Sequence, residues 1–150
     1  MGASTGGSLA ICAAGEDERV RGVAALSARA DFDDWAAHPK RFLDHAREIG
    51  VVRDPQFPAD LDASIRELRE VRPLALVSKL APRPLLLVQG SNDDVVPSLD
   101  ARALADCHGR AELRIIQGAG HRLRHDPRAV AVLLGWLERQ VPVEPVAPPA

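Results

Sequence analysis

The residue best suited to nucleophilic chemistry in this 150-residue chain is Ser4. It lies at the centre of Gly-Ala-Ser-Thr-Gly at residues 2–6, with a glycine two positions before it and another two positions after it. This spacing is typical of a tight strand-to-helix turn, in which small neighbours avoid a clash and the serine hydroxyl stands above a sheet. Three fixed positions are a weak signal alone, because an ordinary glycine- and serine-rich loop contains them too. A phosphate-binding loop is disfavoured, since no lysine follows the glycines.

Two adjacent carboxylates, Asp93 and Asp94, form the second group of chemical interest. They follow the apolar segment 84–90, which is the clearest strand pattern in the chain. Functional groups of α/β proteins gather at the carboxyl ends of parallel strands, so an acid here could orient a base. The same residues would also form an ordinary polar turn.

The third candidate is His121, which ends the segment Gly-Ala-Gly-His at residues 118–121. An imidazole on a loop between a strand and a helix can serve as a general base. A single loop histidine is more often a surface residue, however. His125 is the weaker candidate, because it lies beside the expected start of the last helix.

Alternating strands and helices are expected to position these residues. Apolar runs predict strands over residues 20–27, 84–90 and 111–118, and helices over residues 9–14, 97–107 and 127–139. Ser98 and Asp126 are the expected caps of the last two helices. The alternation predicts an α/β protein with a parallel sheet. We expect no strand before Ser4, which leaves the 20–27 strand with an open edge.

The chain order serine, acid, histidine resembles that of the α/β-hydrolase superfamily and differs from the orders of trypsin-like and subtilisin-like enzymes. The resemblance rests on Gly-Ala-Ser-Thr-Gly-Gly at the start, Leu-Leu-Leu-Val-Gln-Gly-Ser-Asn-Asp-Asp-Val-Val-Pro in the middle and Gly-Ala-Gly-His near the end. It spans residues 1 to about 140. It implies a partial α/β-hydrolase fold, a remnant of the parallel sheet with flanking helices and the C-terminal portion of such a domain.

Site roles follow from the resemblance. It implies that Ser4 is the nucleophile, His121 the general base and Asp93 the acid that orients the base. Asp93 is preferred to Asp94 because the family usually places its acid three residues after the glycine that ends the strand, although the spacing does not exclude the neighbour. The residue after the nucleophile, Thr5, would contribute its backbone N–H to the oxyanion hole.

The implied activity is that of a serine hydrolase that cleaves an ester, a thioester or a small amide through an acyl-enzyme. Two alternatives stay open. An acyltransferase would use the same acyl-enzyme with an alcohol in place of water. A non-catalytic hydrolase remnant would act as an interaction module, with self-association through the open sheet edge.

Composition limits the partners and cofactors. The formal net charge is −2, and no basic stretch stands clear of acidic residues, which argues against nucleic acid or an anionic membrane. Cys12 and Cys107 are too few for a disulfide scaffold and lack metal-ligand spacing. No apolar run is long enough to span a bilayer. These features predict a cytoplasmic protein without a metal site. The resemblance to α/β-hydrolases implies a small-molecule acyl substrate and no cofactor.

Two further segments complete the predicted organisation. Residues 28–80 contain helical patterns interrupted by prolines and predict a cap-like helical insertion without a strand. Within it, Leu61, Ile65 and Leu68 share one helix face. The aromatic residues Phe32, Trp35 and Phe42 would either line a substrate pocket under the cap or pack the cap onto the body. Residues 141–150 contain four prolines and predict a disordered tail after the hydrolase domain at residues 1–140.

Overall fold

The computed structural model describes residues 1–140 of the chain. The elements in chain order are β1 (Gly2–Ala3), α1 (Thr5–Glu16), β2 (Val23–Leu26), α2 (Asp33–Ala37), α3 (Pro39–Glu48), α4 (Leu61–Glu70), α5 (Pro73–Leu80), β3 (Leu85–Gly90), α6 (Ser98–His108), β4 (Glu112–Ile116), a 3₁₀ turn (Leu123–His125) and α7 (Pro127–Gln140). The predicted α/β class with a parallel sheet is confirmed. The predicted tail at residues 141–150 lies outside the described residues.

The four strands form one parallel sheet in the order β1-β2-β3-β4. The expectation that no strand precedes Ser4 is wrong, because Gly2 pairs with Ala25 and Ala3 with Leu26. Two residues suffice for this strand, since β2 supplies the pairing partners and the Ser4 N–H continues the ladder to the Leu26 carbonyl at 2.8 Å. The edge of β2 is therefore covered in part rather than left bare.

Both faces of the sheet are buried, as the near-continuous apolar sequence of the central strands requires. On β3, Leu85 and Leu87 pack against α1, α5 and α6. The alternate residues Leu86 and Val88 pack against α7, whose Trp136 is buried in the same cluster. This period of two along the strand builds one apolar layer on each side of the sheet. All six residues of β3 are buried, so this strand is the rigid centre of the domain.

The helix limits correct the sequence predictions at two places. Helix α1 begins at Thr5 rather than at residue 9, so its first turn directly follows Ser4. Ser98 is not a cap, because Pro97 occupies the N-cap position and α6 begins with Ser98 itself. Asp126 does cap α7, since its Oδ1 accepts the backbone N–H of Arg128 at 2.9 Å. Leu104, within the predicted helix at residues 97–107, is fully buried.

The helical segment between β2 and β3 contains two kinds of packing. Helix α5 belongs to the body of the domain, with Val77 and Leu80 fully buried in the core beside α1. Helix α4 has no fully buried residue, and of the face predicted there Leu61 is exposed while Ile65 and Leu68 are half-buried. The ring centroids of Trp35 and Phe42 lie 4.7 Å apart, which indicates packing within this segment. A cap-like insertion over residues 28–80 stays a prediction.

None of the helices within residues 1–140 is long and apolar enough to cross a membrane.

Candidate active site

Ser4 lies on a strained turn between β1 and α1. Its backbone has φ 52° and ψ −129°, a region that residues with a side chain seldom occupy. The turn is held from both sides, because the Ser4 N–H donates to Leu26 at 2.8 Å and the Ser4 carbonyl accepts the N–H of Gly7 at 2.9 Å. The sheet and the helix together thus fix a conformation that a free loop would not keep.

The two glycines around Ser4 have different environments. A Cβ at Gly2 would overlap the carbonyl of Gly6, so only glycine allows the turn to close this tightly. A Cβ at Gly6 would meet no atom within 4 Å in the described part of the chain. The expectation that both glycines prevent a clash is therefore correct for Gly2 and wrong for Gly6.

Asp93 lies in the turn after β3, and its side chain is inaccessible to solvent. Its Oδ1 accepts the backbone N–H groups of Val95 and Val96 at 2.9 and 2.8 Å. Burial alone would raise the pKa of Asp93, but the hydrogen bonds from His121, Val96 and Val95 outweigh it and lower this pKa to about 2. Asp93 is therefore held as a carboxylate. The neighbouring Asp94 is exposed.

His121 lies on the loop after β4, close to the end of β3. A Cβ at Gly90 would overlap the carbonyl of Ala119, so this glycine allows the loop to approach the strand. The loop is also held from β2, because Ser27 Oγ donates to the His121 carbonyl at 3.2 Å. His125, the weaker candidate, is exposed on the 3₁₀ turn and does not take part in the site.

The three residues Ser4, His121 and Asp93 form one chain of hydrogen bonds. Nε2 of His121 lies 2.9 Å from Oγ of Ser4, and its Nδ1 lies 3.0 Å from both carboxylate oxygens of Asp93. Asp93 accepts at its oxygens, so Nδ1 carries the proton and Nε2 is free to accept from the serine hydroxyl. The His121 side chain is 20% exposed, which leaves the serine end of this chain accessible.

The first turn of α1 presents unpaired backbone donors beside Ser4. Thr5 is the first residue of the helix, and its N–H donates to no carbonyl within residues 1–140. Such a helix start carries a partial positive charge that favours a developing anion. The predicted oxyanion donor therefore has a free N–H next to the serine.

A cleft of about 420 Å³ adjoins the turn that carries Asp93. Its wall includes Arg29, which is only 9% exposed, and Nη2 of this residue donates to the Val95 carbonyl at 2.6 Å. The guanidinium lies 4.2 Å from the centroid of the Trp35 ring. Carboxylates of Asp31, Asp34, Asp94 and Asp100 also line the cleft.

Sequence reasoning missed three residues that hold the site. Ser27 and Arg29 lie in the segment that follows β2, where a run of small and charged residues gave no signal. Gln89 donates from Nε2 to Oδ2 of Asp93 at 2.9 Å. The sequence could have indicated Gln89, because it is the one polar residue within an otherwise apolar strand at residues 85–90.

Other reactive groups lie apart from this arrangement. Cys12 lies within α1, and burial raises the pKa of its thiol, which disfavours the reactive thiolate. Cys107 is exposed on α6, and its Sγ lies 3.5 Å from the Leu74 carbonyl. Within residues 1–140, no three His, Cys, Asp or Glu side chains cluster closely enough to hold a metal ion.

The parallel sheet, covered by helices on both faces and carrying a serine on a strand-to-helix turn, is the fold of the α/β-hydrolase superfamily. Comparison with a family model gives the narrower assignment, because residues 1–143 match the prolyl oligopeptidase family. The chain belongs to that family. No curated protein matches it at a significant level.

Solved structures show the same fold. TT1662 from Thermus thermophilus is 23% identical, with a TM-score of 0.65 over 95% of this chain and 54% of that chain. The esterase domain of a Rhodothermus marinus protein is 25% identical, with a TM-score of 0.63 over 93% of this chain and 59% of that chain. A puromycin-hydrolyzing peptidase of Mycobacterium tuberculosis is 22% identical, with a TM-score of 0.62 over 91% of this chain and 20% of that chain. The chain thus spans about half the length of the first of these relatives.

Proposed function

We propose that this chain carries the catalytic triad of a serine hydrolase, with Ser4 as nucleophile, His121 as general base and Asp93 as the orienting acid. The observation that carries the proposal is the continuous path from Ser4 Oγ to His121 Nε2 at 2.9 Å and from His121 Nδ1 to Asp93 at 3.0 Å. Membership of the prolyl oligopeptidase family supports hydrolysis as the class of reaction. The substrate is an acyl compound, that is, an ester, a thioester or a small amide.

In the acylation step, Oγ of Ser4 attacks the carbonyl carbon of the substrate while its proton passes to Nε2 of His121. The imidazolium that forms is stabilised by the buried carboxylate of Asp93. Collapse of the tetrahedral intermediate breaks the bond to the leaving group. His121 returns the proton to that group, and an acyl-serine remains.

Deacylation repeats the sequence with water. His121 Nε2 takes a proton from the attacking water, the acyl–Oγ bond breaks, and the proton returns to Oγ of Ser4. An alcohol in place of water would make the reaction an acyl transfer. Measuring product formation with and without an added alcohol distinguishes the two reactions.

Thr5 supplies one donor for the oxyanion that develops in both steps. Its free N–H stands at the start of α1, where the helix dipole also favours negative charge. In α/β-hydrolases a second donor comes from a loop that precedes the nucleophile in the chain. The labelling experiment described next therefore uses both the 150-residue chain and the longest natural chain that contains it.

A serine-directed fluorophosphonate tests the proposal directly. The reagent is expected to label the wild-type protein, with Oγ of Ser4 displacing fluoride from phosphorus, and peptide mass analysis should locate the label on Ser4. Ser4→Ala should abolish labelling, whereas Ser78→Ala, at an exposed position on α5, should label as the wild type does. Undiminished labelling of Ser4→Ala would remove Ser4 from the mechanism.

A second candidate function is suggested by the edge of the sheet. The two residues of β1 pair with Ala25 and Leu26 on one side, and on the other side β1 is the edge of the described sheet, where Ala3 is exposed. We propose that the 150-residue chain in isolation associates with a second copy through this edge, where unpaired backbone groups favour strand addition. Light scattering during gel filtration tests this, and a monodisperse monomer that unfolds cooperatively would contradict it.

A further inference from the structure

The carboxamide of Gln89 contacts the carboxylate of Asp93 from within the protein core. Gln89 lies on β3 between Val88 and Gly90, and its side chain is fully buried. Its Nε2 donates to Oδ2 of Asp93 at 2.9 Å and to the carbonyl of Val96 at 3.0 Å. Both hydrogens of the amide are therefore directed at the turn that carries the acid.

These bonds close a ring around the carboxylate. The N–H of Val96 donates to Oδ1 of Asp93 at 2.8 Å, while the carbonyl of Val96 accepts from Gln89. Gln89 thus holds one carboxylate oxygen, and the backbone of the turn holds the other. A closed ring of this kind restricts rotation of the carboxylate, and both of its oxygens lie 3.0 Å from Nδ1 of His121.

The other end of the amide shows that packing alone does not explain a glutamine at this position. Its Oε1 is buried and has no hydrogen-bond partner among residues 1–140. Rotating the amide by 180° would place Oε1 against two acceptor oxygens, those of Asp93 and Val96. A methionine would fill a similar volume and leave no unpaired acceptor. What a glutamine adds at this position is therefore the pair of hydrogen bonds that its Nε2 donates to Asp93 and Val96.

We propose that Gln89 is a positioning residue, which holds the Asp93 carboxylate in the rotation that presents both oxygens to His121. The proposal rests on the proposed function, since it concerns the acid that orients the proposed general base. Gln89 itself does not contact the reacting atoms, because it lies behind Asp93 in the core. Its effect on catalysis passes through the Asp93–His121 hydrogen bonds.

The first test is a measurement that needs no catalytic activity. The Nδ1 proton of a histidine that donates to a carboxylate gives a far-downfield resonance in the proton NMR spectrum. Loss of this resonance in His121→Gln assigns it to His121. In Gln89→Met the signal is expected to shift or to be lost through exchange with water. Gln56→Met makes the same substitution at an exposed glutamine in the loop after α3, and it should keep the wild-type signal.

The second test is kinetic. With p-nitrophenyl acetate, Gln89→Met should lower kcat on the order of 10-fold and leave KM nearly unchanged, because a displaced base affects the transition state more than substrate binding. Gln56→Met should match the wild type in both constants. Circular dichroism and thermal unfolding show whether each variant is folded.

The outcomes separate this proposal from the proposed function. A wild-type protein that neither labels nor hydrolyses the ester, but whose Nδ1 signal changes in Gln89→Met, contradicts the catalytic role of Ser4 and supports the role of Gln89. An unchanged Nδ1 signal in folded Gln89→Met overturns the role of Gln89. Should Gln89→Met not fold, Gln89→Asn carries the same comparison, because its amide is one methylene too short to keep the 2.9 Å bond to Asp93.

Discussion

Ser27 Oγ donates to the backbone carbonyl of His121 at 3.2 Å, across 94 positions of sequence. This bond joins the end of β2 to the loop that presents the proposed base. Ser27 is fully buried, and its φ of 49° is unusual for a residue with a side chain. Ser27 therefore has a strained backbone and also contacts the site, and strained residues are common at functional sites.

Two substitutions at Ser27 separate the strain from the contact. Ser27→Ala should lower the free energy of unfolding by about 1 kcal/mol, because the hydrogen bond is lost and the positive φ remains. Ser27→Gly also loses the bond but relieves the strain, so it should be about 1 kcal/mol more stable than Ser27→Ala. Urea unfolding measures both values. Equal stability of the two variants would show that the φ of Ser27 stores no strain.

Acid unfolding should report the ionisation of Asp93. Its pKa is lowered from 3.8 to about 2, so the folded state binds this proton less readily than the unfolded state does. The carboxylate therefore contributes about 2 kcal/mol of stability above pH 4, and this contribution is lost as the pH falls through about 2. The stability difference between wild type and Asp93→Asn, measured by urea unfolding from pH 5 to pH 1.5, should shrink accordingly.

Asp94→Asn is the matched control for this measurement, because it removes an exposed carboxylate from the same turn. Its stability should follow the wild-type pH profile closely. A constant difference between wild type and Asp93→Asn over the whole pH range would contradict a lowered pKa for Asp93.

The glycines of the serine turn should tolerate alanine unequally. Gly2→Ala places a Cβ onto the Gly6 carbonyl and should lower the free energy of unfolding by about 2 kcal/mol or more. Gly6→Ala meets no neighbour in the described part of the chain and lies within the first turn of α1, so it should be neutral or stabilising by up to about 1 kcal/mol. Thermal unfolding of the two variants provides the comparison, and similar losses for both would argue against the tight turn at Gly2.

Gly90 should matter more for the position of His121 than for the strand itself. In Gly90→Ala the new Cβ would overlap the Ala119 carbonyl, so the loop that carries His121 must move away from β3. We expect fluorophosphonate labelling of Ser4 to slow on the order of 100-fold, since a displacement of about 1 Å has an effect of that size. Gly135→Ala, within α7 and distant from the site, should label at the wild-type rate. An unchanged rate in Gly90→Ala would show that the loop does not need this close approach.

Much of this architecture can be predicted from the sequence because the signals are local. The apolar run at residues 85–90 and the Pro127 start of α7 depend on neighbouring residues alone, and both elements are found. The three proposed triad positions could be selected because Ser4 lies in the Gly-Ala-Ser-Thr-Gly spacing, while Asp93 and His121 each follow a strand-like segment. Their mutual distances required the parallel sheet, which brings the strand ends to one edge.

The parts that escaped prediction depend on partners distant in sequence. The strand at Gly2–Ala3 has no local signal, since its two residues become a strand only by pairing with Ala25 and Leu26. The core position of α5 was equally hidden, because its apolar residues meet α1 rather than a neighbour along the chain. The role of Gln89 required the coordinates of a carboxylate four residues away.

The short strand β1 also has a kinetic consequence. Ser4 meets His121 across 117 residues of sequence, and its turn is fixed by pairing with β2 rather than by local preference. Contacts between residues so far apart in sequence form slowly, because the chain loses the entropy of closing a long loop before packing stabilises the contact. Refolding should therefore pair the serine turn with Leu26, a neighbour in the same part of the chain, before it brings His121 to Ser4. The contact between Ser4 and His121 is then a late product of folding, absent from any collapsed intermediate in which the loop after β4 has not yet docked.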